Sequence, residues 1–173
     1  MKLTYQDLLE KMTNMEMLAI SPEKGEMGGN FSSYDRNSSY DPSTDTYSQW
    51  GANRDCDGCI RMEKDRLVAF EMEGPGVIWR IWSANPQEGH IRIYTENEQK
   101  EKMDMPFRKL FERYAYDESR VEWPANFPEL MPILSRGRNR FIPIPFNHYC
   151  KVTLDPGWGE FYHITYTKFP SCV

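Results

Sequence analysis

No stretch of this 173-residue chain approaches the roughly 20 apolar residues that a membrane-spanning helix needs. The opening segment, Met1 to Glu10, carries Asp7 and Glu10 and lacks an apolar run, so it does not read as a secretory leader, and the cytoplasm is the default compartment. Basic residues form no cluster: 21 Lys and Arg stand against 26 Asp and Glu, for a net charge of −5. Holding a phosphate backbone takes a concentrated cationic face, so nucleic acid is not an expected partner. A nucleophile elbow, a phosphate-cradling Gly loop and a zinc-binding HExxH are all missing, as is any internal repeat. Cysteine is scarce, with Cys56, Cys59, Cys150 and Cys172 as the whole set. Zinc would want a second close pair beside Cys56-Asp57-Gly58-Cys59, and a redox CxxC would open a helix rather than sit in a polar loop before a strand. The thiols therefore read as reduced loop and core residues, and neither a metal nor another cofactor is expected.

Aromatic side chains, by contrast, are plentiful. They make up 14% of the chain within a hydrophobic share of 39%, which argues for a folded, β-rich domain. Residues 4–19 predict an amphipathic helix: Leu8, Leu9, Met12, Met15 and Leu18 recur at helical spacing, and Thr4 with Asp7 resembles an N-terminal cap. From Ser38 to Gly58 the chain is polar and without period, so it reads as a long loop, and Tyr40, Tyr47 and Trp50 argue that this loop is ordered.

Strand segments, most of them alternating, then follow in quick succession, with Val77–Trp82 apolar and Met103–Phe107 short and Pro-ended. They cover Cys59–Glu63, Arg66–Glu73 (Leu67, Ala69 and Glu71 against Val68, Phe70 and Met72), Val77–Trp82, His90–Tyr94, Met103–Phe107, Cys150–Leu154 and Glu160–Phe169. Residues 108–113 suggest a helical turn, 118–137 are irregular, and Asn139–Phe146 reads as an edge strand interrupted by Pro143 and Pro145. Short strands without intervening helices predict a mainly β fold, an antiparallel β-sandwich of jelly-roll type with an N-terminal amphipathic helix. The expected organisation is a helix over residues 1–20 and a single jelly-roll domain over 21–173.

Two constellations carry chemistry. Ser32-Ser33-Tyr34-Asp35-Arg36 packs hydroxyls, an acid, a guanidinium and an aromatic ring into five positions. Asp35 and Arg36 suit charge-assisted hydrogen bonds to a polyol, with Tyr34 and Trp50 as stacking platforms. The competing reading is a loop whose Ser and Asp side chains satisfy their own backbone. Glu71 and Glu73 lie in an apolar strand, where burial would raise a carboxyl's pKa, and the competing reading has them exposed or paired with Arg80 or Arg92. His90, His148 and His163 lie in or beside strands, and His163 reads as a hydrogen-bonded packing residue.

In order along the chain, Ser32-Ser33-Tyr34-Asp35-Arg36, Trp50-Gly51, Ile60-Arg61, Glu73-Gly74-Pro75-Gly76 and Trp79-Arg80-Ile81-Trp82 resemble glycoside hydrolase family 172. So do Ile91-Arg92-Ile93-Tyr94, Pro106-Phe107, Phe141-Ile142-Pro143-Ile144-Pro145-Phe146 and Tyr162-His163-Ile164-Thr165-Tyr166. The resemblance implies the first half of a double jelly roll, assembled as trimers or larger rings. It implies retaining, metal-independent action on α-D-fructofuranosides and α-D-arabinofuranosides, with the catalytic glutamates in the second half, one of them in a Gly-Thr-Glu-Asp stretch that this sequence lacks. Ser33, Tyr34, Asp35, Arg36 and Trp50 carry over as substrate-binding residues, and no catalytic residue carries over.

Three expectations follow. The favoured one is the N-terminal half of a glycoside hydrolase, inactive without its second jelly roll, which would dock on a large exposed apolar face. The alternatives are a free-standing carbohydrate-binding or assembly module, and a small complete hydrolase using Glu71 or Glu73.

Overall fold

The computed structural model describes residues 3–56, 58–97, 99–112 and 128–170. Residues 118–127, the first half of the stretch expected to be irregular, and Cys172 lie outside the described residues. No helix among the described residues is long and apolar enough to cross a membrane.

The N-terminal segment is one α-helix and one 3-10 turn rather than a single helix. Helix α1 spans Tyr5–Thr13 and is opened by a reciprocal capping box between Thr4 and Asp7. It stops at Asn14, whose extended backbone and side chain cap the following 3-10 turn, Met15–Ala19, through the Glu16 N–H. Of the apolar residues expected to face inward, Leu8 is buried against Val77, Phe169 and Trp79. Leu9 and Met15 are exposed.

The strands are β1 (Met27–Ser32), β2 (Ser39–Asp41), β3 (Thr46–Ser48), β4 (Arg61–Glu63), β5 (Arg66–Glu73), β6 (Gly76–Pro86) and β7 (His90–Thr95). They continue as β8 (Met103–Pro106), β9 (Ile133–Leu134), β10 (Gly137–Arg140), β11 (Ile144–Phe146), β12 (Tyr149–Leu154) and β13 (Gly159–Lys168). One sheet has the order β1-β13-β6-β10-β9, with β11 also on β6, and the other has the order β4-β5-β12-β7-β8. All pairs are antiparallel. Taking β1, β5, β6, β7, β8, β10 with β11, β12 and β13 as principal strands, the sheets read first-eighth-third-sixth and second-seventh-fourth-fifth. That is the strand order of a jelly roll, the fold class the alternation predicts.

The core lies between the sheets. Phe70, with no exposed surface, presents its ring edge-on to Phe31 at 5.2 Å, Tyr166 at 5.7 Å and Phe146 at 6.2 Å. Trp158 bridges Phe107 and Tyr162 in the same cluster.

Three local expectations are corrected. The strict alternation of β5 is broken by a bulge: pairing jumps from Val152↔Phe70 to Thr153↔Val68, so Ala69 is extra. Leu67 and Phe70, assigned to opposite faces by a strict period of two, therefore both join the core. Asn139–Phe146 is not one edge strand but the end of β10, which lies between β6 and β9, followed by β11 beyond Pro143. The polar 38–58 loop contains a hairpin, β2–β3, closed by the Asp41-Pro42-Ser43 turn in which Asp41 accepts from the Ser43 N–H and hydroxyl.

The broad apolar docking face is also not found among the described residues. The outer face of the second sheet carries ion pairs instead: Arg61 with Glu63 and Glu71, Lys151 with Glu63 at 3.1 Å, and Arg92 with Asp155 and, at 3.1 Å, Asp104. Exposed large apolar side chains are dispersed, with Met62 on β4, Ile133 and Leu134 on β9 and aromatics on the β2–β3 hairpin.

Because Phe70 touches three aromatic rings across the sandwich, Phe70→Ala leaves a cavity that backbone relaxation does not fill. Chemical denaturation is expected to show a loss of about 3–5 kcal/mol.

Candidate functional site

The register of the first sheet decides what its outer face presents. Cross-strand partners share a face, so each rung of paired residues points one way. Ser32↔His163, His163↔Trp82 and Trp82↔Asn139 form one outward rung across four strands. The next rung, Phe31, Ile164 and Ile81, points into the core, and the one after it, Asn30, Thr165 and Arg80, points outward again.

These outward residues line an open cleft of about 620 Å³ formed by Arg80, Trp82, Asn139, Phe141 and His163, with Leu134 and Ser135 at the β9–β10 turn. The volume is in the range of small-molecule sites. Asn139 is buried and accepts from Arg80 Nε at 2.9 Å through Oδ1, while its amide nitrogen donates to the Pro132 and Gly137 carbonyls. The Trp82 indole lies so close to the Gly137 backbone that a Cβ there would meet its Nε1 at 2.1 Å, so only glycine leaves the ring in place. His163 meets Trp82 edge-on at 5.0 Å, and its Nδ1 is 3.1 Å from the Asn30 amide nitrogen. Burial first, and the Arg80 charge second, hold the His163 imidazole below the usual histidine range. No carboxylate among the described residues lines the cleft. Among the described residues, no three His, Cys, Asp or Glu side chains converge as a metal site.

The Ser33–Arg36 segment leaves β1 at the His163 rung. Ser33 is buried: its backbone N–H and C=O bond to Tyr162 and Gly58, and its Oγ accepts from the Tyr162 N–H at 3.2 Å. Asp35 is buried as well. Its carboxylate takes the Asn37 N–H and amide and the Arg54 N–H, which hold it below the usual carboxylate range. Ser33 thus spends its hydrogen bonds on β13 and Gly58, and Asp35 spends its own on the loop itself. Tyr34 is half exposed, and the Arg36 guanidinium stacks 3.4 Å above its ring while donating to the Ser32 and Tyr34 carbonyls. Gly58 closes against this loop, where a Cβ would stand 1.8 Å from the Tyr34 carbonyl oxygen.

Trp50 lies apart from this segment, on the β2–β3 hairpin, and is 80% exposed. Its ring is 5.6 Å from Tyr47, which is 5.1 Å from Tyr40, so the hairpin carries a short aromatic ladder.

Glu71 is neither a raised-pKa acid nor a partner of Arg80 or Arg92. It lies on the opposite sheet's outer face, bonded by Arg61 and by the Tyr149 hydroxyl at 2.7 Å, and these bonds hold its carboxyl below the usual range. Glu73 is exposed at the end of the same strand. Arg80, Trp82, Asn139 and Phe141 were not singled out as site residues, and His163 was read as packing. The available signal was the i, i+2 pair Arg80 and Trp82, a cation and an indole on the face opposite Ile81.

A family model described as the GH172 first beta-sandwich domain matches residues 24–173. No curated protein matches the chain.

Two outcomes follow from this geometry. Gly58→Ala is expected to cost about 1–3 kcal/mol in a urea melt, as overpacking does. Gly51→Ala, with open space around it, is expected to shift the melt by less than about 0.5 kcal/mol. In an NMR titration, His163 is expected to protonate at lower pH than a solvent histidine, so its share of the stability is present above that ordinary value and is lost as pH falls through the depressed one. Arg80→Gln should raise the midpoint without fully restoring it, because burial remains. A midpoint indifferent to Arg80 would contradict the assigned electrostatics.

Proposed function

Since the chain belongs to glycoside hydrolase family 172 as its first β-sandwich domain, we propose that it forms the non-catalytic wall of a furanoside site, with the hydrolytic carboxyl pair supplied by a second β-sandwich. The observation that carries this reading is the make-up of the outer face: a cleft with Trp82, Phe141, Arg80, Asn139 and His163 and, among the described residues, no carboxylate. Hydrolysis of a glycosidic bond with retention needs two carboxyl groups about 5–5.5 Å apart. The acids that could be suspected by position, Glu71 and Glu73, belong to the strand on the far sheet, where Glu71 is tied down by Arg61.

Sugar recognition by such a wall rests on ring faces and hydroxyl-bonding groups. Tyr34, braced from behind by Arg36, and the exposed Trp50 are suited to stacking on furanose rings. Ser33 and Asp35 act on the sugar only through these neighbours, by holding the loop that presents them. The substrate class in this reading is an α-D-fructofuranoside or α-D-arabinofuranoside, and the assembly is a trimer-based oligomer in the cytoplasm. The Cys150 thiol, buried in the core without a disulfide partner, accords with a reducing compartment.

Calorimetric titration of the chain with arabinofuranosyl and fructofuranosyl oligosaccharides is the test, run beside release of nitrophenol from p-nitrophenyl α-D-arabinofuranoside. Binding without turnover is expected, with Tyr34→Ala and Trp50→Ala each weakening binding by roughly tenfold, the scale of one stacked ring. Nitrophenol release that Glu73→Gln abolishes would overturn the non-catalytic assignment. Failure to bind any furanoside would overturn the sugar reading.

A further inference from the structure

We infer that the cleft over Arg80 binds a sugar carrying an oxyanion, a carboxylate or a phosphate, with the sugar ring against Trp82 and the oxyanion on the Arg80 guanidinium. The inference rests on the carbohydrate reading and narrows it from a neutral to an acidic ligand.

The charge distribution on the two outer faces is its basis. On the second sheet every long cation of the network has a carboxylate: Arg61 has Glu63 and Glu71, Lys151 has Glu63, and Arg92 has Asp104 and Asp155. Among the described residues Arg80 has none, in a chain with acids in excess of bases. Its side-chain hydrogen bond is the one from Nε to Asn139, which is neutral. Its guanidinium lies 5.9 Å from the Trp82 ring and 5.8 Å from the Phe141 ring, cation–π contacts at the outer edge of their range that bring no negative charge. A guanidinium offers five donors in a planar fork, and the Nε bond fixes the plane of that fork while leaving the terminal nitrogens for a bidentate oxyanion.

Desolvating a cation without a partner is costly, and strand β6 half-buries this one. An arriving carboxylate or phosphate removes that cost, whereas a neutral hydroxyl removes little of it. The surroundings fit a sugar better than a bare ion. The Trp82 indole, fixed against Gly137, gives a ring face, and Ser135 and His163 give hydroxyl-bonding groups around it. The cleft is also larger than an inorganic anion requires.

The test follows the Trp82 indole N–H by NMR as four probes are titrated into the chain: arabinose, an arabinose phosphate, glucuronate and inorganic phosphate. At least one of the two sugar acids is expected to bind about tenfold or more tighter than arabinose, and the tighter of the two identifies the oxyanion. Arg80→Gln is expected to bring sugar-acid affinity down to that of arabinose. Should that variant fold poorly, salt does the same work on the unmodified chain, because raising it weakens the sugar acids and leaves arabinose unchanged. Arabinose binding as tightly as both sugar acids would overturn the inference and leave the furanoside reading standing. Persistence of the acid preference in Arg80→Gln would also overturn it. Inorganic phosphate binding as tightly as the sugar phosphate would overturn the sugar component. If none of the four shifts the indole, the inference falls, and the oligosaccharide titration judges the furanoside reading separately.

Discussion

Tyr162 ties three parts of the molecule together. Its backbone exchanges hydrogen bonds with the Ser33 backbone and hydroxyl, its phenol donates to the Gly58 carbonyl at 2.9 Å, and its ring is buried against Trp158. That anchor sets the register of β13 between β1 and β6. A slip of a single residue would turn His163 and Thr165 into the core and bring Ile164 out, because strand side chains alternate. The outward rung of Ser32, His163, Trp82 and Asn139 exists only in this register, and so does the placing of the Tyr34–Arg36 stack beside it. The core and the site are thus two faces of one pairing pattern.

Much of this was readable from the chain. Alternation along His90–Tyr94, Cys150–Leu154 and Glu160–Phe169 and the apolar run Val77–Trp82 locate the long strands, and their closeness in sequence without helices gives the sandwich. What alternation does not reveal is where it breaks. Ala69 inserts one residue into β5 and carries Phe70 to the core, an outcome set by the partner strand β12 rather than by any local preference. Asn14 divides the N-terminal segment because its side chain competes for the backbone that a helix would use.

The site shows the same division. Composition marks Ser33 to Arg36 as chemically dense, but density alone does not separate a residue that meets a ligand from one that holds a turn. Burial separates the side chains by position: Ser33 and Asp35 are inside, while Tyr34 is outside. The cleft residues come from three segments distant in sequence, β6, β9 with β10, and β13, so their juxtaposition is a property of pairing and is invisible in any single segment. The two outer faces differ in electrostatic character for the same reason. Pairing brings Arg61, Lys151 and Arg92 beside acids on one sheet, and sets Arg80 among uncharged residues on the other.

The β2–β3 hairpin has a consequence of its own. Residues 39–51 lie wholly at the surface, braced by their own contacts such as Ser39 to Ser48 and Tyr40 to Asp45. The sandwich beneath is therefore indifferent to the arm's composition. Changes of ring type or turn length there leave the folded scaffold in place, so this arm can vary without first solving the packing problem again.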